Sequence, residues 1–147
     1  MTNHTIWTLL LLCCSGICSG QQSTSSENWA TLAQLTYDKA EDEYGEIYIP
    51  VFGDEIRALE GQRIVLEGFI IPFQGMFEPD KLILSSLPIA SCFFCGGSGP
   101  ETVAQIYLDE SIRYTAKIVR VTGTLELNDS DVDELMYILK NSDIETL

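Results

Sequence analysis

Two long apolar segments, each with a glycine near its centre, constrain the fold more than any other feature. Residues 63–73 are rich in β-branched and apolar side chains around Gly68, and residues 117–127 alternate apolar and polar side chains around Gly123. Alternation with a period of two predicts strands with one buried face. A glycine inside a strand marks a bulge or a sharp bend. The sequence therefore predicts long, bent strands that can coil into a small barrel.

Shorter elements are predicted around these two strands. Residues 46–52, 81–86 and 102–108 have extended apolar patterns, and residues 54–59 fit one or two helical turns. Residues 29–37 fit either a helix or a strand, so both alternatives stay open at this point. Together these patterns predict a mainly β chain with short helices at its edges.

Residues 128–131, Asn-Asp-Ser-Asp, predict the start of a C-terminal helix, because such side chains cap helix N-termini and acidic charge favours a first turn. The apolar stripe of that helix would consist of Val132, Leu135, Met136 and Leu139. The pattern as a whole resembles an oligonucleotide/oligosaccharide-binding (OB) fold. We therefore predict a mainly β, OB-fold-like β-barrel with a C-terminal helix and short edge helices; a β-sandwich is the alternative.

The N-terminal region has the pattern of a secretory signal. An apolar run at residues 6–12 is too short to span a bilayer, and small residues and then a polar tract follow it. We expect residues 1–20 to be a signal peptide, residues 21–28 a flexible tether, and residues 29–147 a single domain.

Cysteines in the same region allow a lipoprotein signal as an alternative. Cys14 follows apolar and small residues that suit lipid attachment, whereas Ile17 before Cys18 suits it poorly. The chain is therefore expected to be exported, either as a periplasmic protein or as a membrane-anchored lipoprotein. A membrane is expected as a partner only through such a lipid anchor.

The net charge of the chain restricts the classes of partner that we expect it to bind. It has 22 acidic and 8 basic residues, and the formal net charge is −14. Such a surface repels phosphate backbones, so nucleic acid is not expected as a partner. Cations, metal ions and basic proteins are the partners that this charge favours.

The positions of cysteine and histidine restrict the chemistry. Of five cysteines only Cys92 and Cys95 lie beyond the predicted signal, and the single histidine, His4, lies within it. The predicted domain therefore has no imidazole for a catalytic triad, a general base near neutral pH or a metal site. We predict no enzyme activity, with redox chemistry of the two thiols as the open exception.

The predicted functional loop surrounds these two thiols. It joins two predicted strands, and its glycines and proline cannot continue either a helix or a regular strand. Its binding residues are expected to be Phe93, Phe94, Gly96, Gly97, Ser98, Gly99, Pro100 and Glu101, beside Cys92 and Cys95. In an extended segment Phe93 and Phe94 would point to opposite sides, one into the core and one over the loop.

Three roles for Cys92 and Cys95 stay open. Paired thiolates chelate a soft ion such as Zn or Cu, and carboxylates, Met76, a second subunit or a partner would supply the remaining ligands. A Cys-x-x-Cys pair also performs thiol–disulfide exchange when a helix N-terminus lowers the pKa of its first thiol. The third role is structural, a short disulfide that stiffens a glycine-rich loop in an oxidising compartment.

The segment from Pro50 to Leu127 also resembles a family of small exported bacterial proteins of unknown function with an OB-like β-barrel pattern and a Cys-bearing loop. The resemblance rests on the Val-Leu-Glu-Gly-Phe strand at residues 65–69, the next apolar strand, and the cysteine loop with its proline. Some relatives have Cys-x-His followed by prolines where this chain has Cys95 and its glycine run. The resemblance implies no activity.

The expected function is that of an exported cell-envelope binding or accessory module, with an unidentified protein or metal partner in the envelope. Its Cys-x-x-Cys-Gly loop is expected to bind a soft metal ion. The alternatives are a thiol–disulfide redox protein and a protein-interaction domain in which Cys92 and Cys95 form a purely structural disulfide.

Overall fold

The computed structural model of the protein describes residues 23–43, 45–72 and 80–147. The predicted signal peptide at residues 1–20 lies outside the described residues. In the described part, helices and strands follow in the order α1 (Ser25–Leu32), β1 (Thr36–Asp42), β2 (Gly45–Val51), α2 (Asp54–Arg57), β3 (Arg63–Ile71), β4 (Lys81–Ser85), β5 (Val103–Leu108), β6 (Ile118–Leu127) and β7 (Tyr137–Thr146).

Five of these strands form a closed barrel in the order β3, β4, β5, β7 and β6, and β1 and β2 form a separate two-stranded hairpin. Neighbouring barrel strands are antiparallel except β5 and β7, which run parallel. A closed five-stranded barrel with this order has OB-like architecture. The predicted mainly β barrel is therefore confirmed, and the architecture is a barrel rather than the sandwich alternative.

Alternate side chains of the strands fill the barrel, as β6 illustrates. Val119, Val121 and Leu125 are fully buried, and Leu127 at the strand end is half-buried. The apolar face predicted for residues 117–127 is therefore confirmed. A strand with one buried face has a strongly specified register, because a shift by one residue would expose every apolar side chain.

Side-chain hydrogen bonds attach α1 to the outside of β3 and to the start of β7. The Asn28 amide donates to the Val65 carbonyl at 2.9 Å, and the Trp29 indole N–H donates to the Glu67 carbonyl at 2.9 Å. At the end of the helix, the buried Tyr137 hydroxyl donates to the Leu32 carbonyl at 2.7 Å. The helix is therefore part of the folded domain.

The prediction of a flexible tether at residues 21–28 is wrong for residues 25–28, which form the first turn of α1. Thr24 and Glu27 make a capping box, in which each side chain bonds to the backbone N–H of the other residue. The two residues of this capping box belong to the Ser-rich tract that was expected to be flexible. Residues 29–37, which fitted either a helix or a strand, contribute to one of each, since α1 ends at Leu32 and β1 begins at Thr36.

The predicted C-terminal helix is wrong, because residues 128–136 form a loop and β7 follows. The Asn128 side chain accepts hydrogen bonds from the Ser130 and Asp131 N–H groups at 3.2 and 2.9 Å, so the expected cap closes a turn instead. Val132, expected on the apolar stripe, is 96% exposed. Leu139 is fully buried in β7, where it pairs with both β5 and β6.

Gly68 lets β3 and β4 approach closely, and its register with β6 is unbroken. A Cβ atom at this position would overlap the carbonyl oxygen of Ser85 in β4. Backbone atoms cannot swing away as a flexible side chain can, so an added methyl group must displace a strand. Gly53, before α2, provides a contrast, since a Cβ atom there would meet nothing within 4 Å.

We predict that Gly68→Ala lowers the free energy of unfolding by about 1–3 kcal/mol, because the methyl group overpacks the contact between β3 and β4. Urea denaturation followed by far-UV circular dichroism measures this change. Gly53→Ala is the matched control and is expected to change stability much less. Equal losses in the two variants would show that the close approach at Gly68 does not matter.

Candidate functional site

The cysteine loop lies at one end of the barrel, where it joins β4 to β5. Because β5 and β7 are parallel, the segment at residues 128–136 that enters β7 lies at the same end. The loop contains three short 3₁₀ turns, Ile89–Ser91, Phe93–Cys95 and Pro100–Thr102. The thiols are thus carried by tight turns rather than by an extended segment.

The backbone around Cys92 explains why glycines follow the thiols. The Cys92 carbonyl accepts hydrogen bonds from the N–H groups of Cys95 at 3.0 Å and Gly97 at 3.2 Å. Gly96 ends the turn with a φ of +76°, in the left-handed region that favours glycine. A Cβ atom on Gly97 would lie 2.8 Å from backbone atoms of Ser91. The predicted glycine run therefore shapes the loop.

Hydrogen bonds also hold the second half of the loop. The Ser98 and Thr102 hydroxyl groups are 2.8 Å apart, and the Thr102 hydroxyl donates to the Gly99 carbonyl at 2.7 Å. The Ser86 N–H donates to the Thr102 carbonyl at 3.0 Å and so joins the two ends of the loop. Pro100 begins the last turn, where its missing N–H costs nothing.

Cys92 and Cys95 are free thiols in different environments. Cys92 is fully buried, Cys95 is exposed, and their Sγ atoms are 3.8 Å apart. The loop thus brings the two predicted ligands together with one sulfur accessible from solvent. The short disulfide that the sequence left open is not formed in this structure.

The exposed thiol is not activated as a nucleophile. Its hydrogen bond with Cys92, then partial desolvation and the proximity of a second sulfur charge, raise the pKa of Cys95 above its ordinary value. Thiol–disulfide exchange needs an accessible thiolate, which enzymes obtain by lowering a cysteine pKa. Cys95 therefore lacks the lowered pKa that would favour the redox alternative.

The expectation that Phe93 and Phe94 alternate along an extended segment is wrong, because both belong to a 3₁₀ turn. Their rings meet edge to face with centroids 5.2 Å apart and planes at 66°. Phe94 is 45% exposed, while Phe93 is half-buried and faces a groove.

Glu101, the last residue of the predicted loop, lies near two tyrosines. Burial, and secondly the negative charge of Glu101, raise the pKa of Tyr37. The pKa of Tyr137 is raised by burial, with smaller effects of Tyr37 and Glu101. The Glu101 side chain also covers Gly99, where a Cβ atom would overlap its carboxylate. The negative charge of Glu101 thus acts on a tyrosine of the hairpin and on one of β7.

An apolar groove with a volume of about 520 Å³ runs beside the loop. Its walls come from the β1–β2 hairpin, the cysteine loop and the segment at residues 128–136. The lining residues are Tyr37, Ile47, Tyr48, Ile49, Pro50, Phe93, Pro100, Asn128, Asp129, Ser130, Asp131, Val132, Glu134, Leu135 and Met136.

Of the ten predicted loop residues, Phe93 and Pro100 line the groove, and the two thiols do not. Sequence reasoning missed the hairpin and the 128–136 segment as parts of this surface. The consecutive apolar residues Ile47, Tyr48 and Ile49 were the available signal. All three are exposed in the structure, although they had been assigned only to a strand.

Glu134 fixes the 128–136 segment to the outside of the barrel. Its carboxylate accepts hydrogen bonds from the Tyr107 hydroxyl at 2.6 Å and from the Gln105 amide, and Lys81 Nζ lies at 3.4 Å. The Leu135 N–H donates to the Gln105 side chain at 3.3 Å. The Tyr107 hydrogen bond, and then the Lys81 charge, lower the pKa of Glu134 against an opposing effect of burial.

The donor set for a metal ion is limited to two thiols. Among the described residues, no three or more histidine, cysteine, aspartate or glutamate side chains are grouped so that they could hold one ion. Met76, considered above as a further ligand, lies outside the described residues. Any ion on Cys92 and Cys95 would take its other ligands from solvent, from another molecule or from residues outside the described ranges.

Comparison with known proteins gives no relative of this chain: no family model, no curated protein and no solved structure matches it. The resemblance to a family of exported bacterial proteins therefore stays a prediction. Within residues 23–43, 45–72 and 80–147, no helix has the length and apolar character needed to cross a membrane.

We predict that Cys95 reacts slowly with iodoacetamide at neutral pH and that its rate rises with pH only beyond the range of an ordinary thiol. The reason is its raised pKa, since the thiolate is the reacting species. Cys92→Ala removes the main cause and is expected to move the rate profile of Cys95 to lower pH. Mass spectrometry of the alkylated protein measures both rates. A profile that does not move would contradict the role of Cys92.

We predict that Glu134→Gln costs about 1 kcal/mol of stability at pH 7, because a charged hydrogen-bond acceptor is lost. The folded pKa of Glu134 is lowered, so its contribution is complete above the unfolded pKa of about 4.3 and disappears as pH falls through the folded pKa. Urea unfolding should therefore separate the two proteins at pH 7 and less at pH 3. Glu60→Gln, an exposed control, should show no such convergence. A constant difference would contradict the assignment.

Proposed function

We propose that this chain is an exported, non-enzymatic binding module whose cysteine loop captures a soft metal ion through Cys92 and Cys95. One observation carries the proposal. Two thiolates on a tetrahedral zinc ion, each about 2.3 Å from the metal, place their sulfur atoms about 3.8 Å apart. The Sγ atoms of Cys92 and Cys95 have that separation, 3.8 Å, as free thiols.

The unequal exposure of the two sulfur atoms favours reversible capture of an ion over a structural metal site. Structural zinc sites are closed by four protein ligands, and catalytic or exchanging sites keep a position open. Here Cys92 is buried while Cys95 is exposed, so an ion on this pair would have one side turned to solvent. Zn²⁺ would complete its coordination with water or a partner, whereas Cu(I) needs fewer ligands and prefers thiolates.

The charge of the chain supports a cationic ligand. The formal net charge of −14 produces a negative potential that raises the local concentration of cations and opposes binding of nucleic acid. Proposed export rests on the signal-like residues 1–20, with either a free periplasmic form or a lipid-anchored form. In both forms the partner would be a metal ion or a protein of the cell envelope.

We propose no enzyme activity for this chain apart from the redox alternative. Beyond His4 the sequence has no histidine, so no imidazole assists the thiols or any serine of the domain. The raised pKa of Cys95 opposes thiol–disulfide exchange. A redox protein is thus the weaker alternative, and activity in a dithiol-dependent reduction of insulin would favour it.

We predict that the reduced chain in which Cys13, Cys14 and Cys18 are changed to Ser, so that Cys92 and Cys95 are its only cysteines, binds one equivalent of Zn²⁺ or Cu(I) and that a further Cys95→Ser change abolishes this binding. Because Cys95 is exposed, this change should leave the fold intact, in contrast to changes at buried Cys92. Competition with a chromophoric chelator measures the affinity and the stoichiometry. Ser91→Ala, at an exposed position next to Cys92, is the matched control and should bind like the chain that keeps both thiols. Equal binding by Cys95→Ser would overturn the proposal.

A further inference from the structure

The β1–β2 hairpin exposes a strand edge to the groove. Its two strands form a sheet of their own, so along residues 47–50 the second edge of β2 pairs with no strand that the structure describes. Four consecutive residues of this stretch, 47–50, line the groove. Since successive side chains of a strand point to opposite faces, four in a row reach one groove along the edge of the strand. The groove therefore runs beside an open strand edge.

The walls of the groove carry exposed apolar side chains. Tyr48 and Ile49 on the hairpin are 57% and 41% exposed, and Val132 on the opposite wall is 96% exposed. The Tyr37 hydroxyl, 3.9 Å from the Met136 sulfur, links the hairpin to that wall. A cluster of exposed apolar side chains around a concave surface is typical of a binding site.

The charges at the groove all have one sign. Asp129, Asp131 and Glu134 belong to its lining, and none of the described lining residues is basic. Asp129 and Asp131 are exposed, whereas Glu134 is held by Lys81 and Tyr107. The lysine of the hairpin, Lys39, lies 5.2 Å from the Tyr48 ring centroid, and its charge is paired with Glu46 at 3.1 Å. An occupant with positive charges between its apolar side chains would complement this surface.

We propose that the groove binds an extended segment of a partner protein in which basic and apolar residues alternate, and that this segment pairs with the edge of β2. The strand edge supplies backbone hydrogen bonds, the apolar walls accept side chains on one face, and the aspartates attract the basic residues on the other. This site is separate from the two thiols, so the inference does not depend on metal binding.

The test uses the full chain in EDTA and a short fluorescein-labelled peptide in which lysine and valine alternate. Fluorescence anisotropy is expected to show saturable binding that weakens with added salt. A peptide with glutamate in place of lysine, and one with N-methyl groups on alternate backbone nitrogens, are each expected to bind at least about tenfold more weakly. These two peptides test the charge complementarity and the strand pairing separately.

Matched variants locate the site on the protein. Ile49→Thr keeps a β-branched residue in the hairpin and is expected to weaken peptide binding about tenfold. Ile118→Thr changes an isoleucine of similar exposure, 42% against 41%, outside the groove and should bind normally. Asp129→Asn with Asp131→Asn should lower both affinity and salt dependence. Asp109→Asn with Glu110→Gln, two exposed acids outside the groove, should not.

Three outcomes would overturn the inference. The first is equal binding of the lysine and glutamate peptides, and the second is full affinity for the N-methylated peptide. The third is a dimer, detected by sedimentation, that Ile49→Thr dissociates and that does not bind peptide, since a second copy of the chain would then cover the groove. Because EDTA is present throughout, each of these results leaves the proposal of a metal site at Cys92 and Cys95 untouched.

Discussion

The insertion of β7 between β5 and β6 is the constraint on which the rest of the structure depends. Without β7, the sheet in the order β6, β3, β4 and β5 would have two open edges, on β5 and on β6. β7 closes both edges, and its Leu139 pairs with Ile106 in β5 and with Leu125 in β6. A closed barrel has no edges to pair with other chains. The parallel alignment of β5 and β7 also brings the loops that precede them to one end, where the thiols and the groove lie.

The strands that were predicted correctly have local signatures. In β3 and β6 the alternation of side chains and the central glycines Gly68 and Gly123 are visible in a single stretch of sequence. Residues 132–139, near the end of the chain, have no such local strand signature. The spacing of apolar residues from Val132 to Leu139 fits a helix, but the open edges of β5 and β6 need a strand. The strands that pair with β7 are far away in sequence, and this tertiary pairing overrides the local helix propensity.

Local and long-range signals also separate the two parts of the candidate functional surface, the cysteine loop and the groove. The cysteine loop was recognisable because Cys92, Cys95 and the glycines that shape the turns are neighbours in sequence. The groove was not, because its lining comes from Tyr37, residues 47–50, Phe93, Pro100 and the segment at residues 128–136, which only the fold brings together. The unequal exposure of the two thiols could not be predicted either, since it depends on a 3₁₀ turn where the sequence indicated an extended segment.

Phe93 lies between the two thiols in sequence and also lines the groove. A shift of the loop on binding at the sulfur atoms could therefore move a side chain that lines the groove. If a ligand on the sulfurs and a chain in the groove require the same position of Phe93, each strengthens the binding of the other. If they require different positions, each weakens the other by the same factor, because the coupling free energy between two equilibria is reciprocal. A module of this size could then release one cargo in response to the arrival of another.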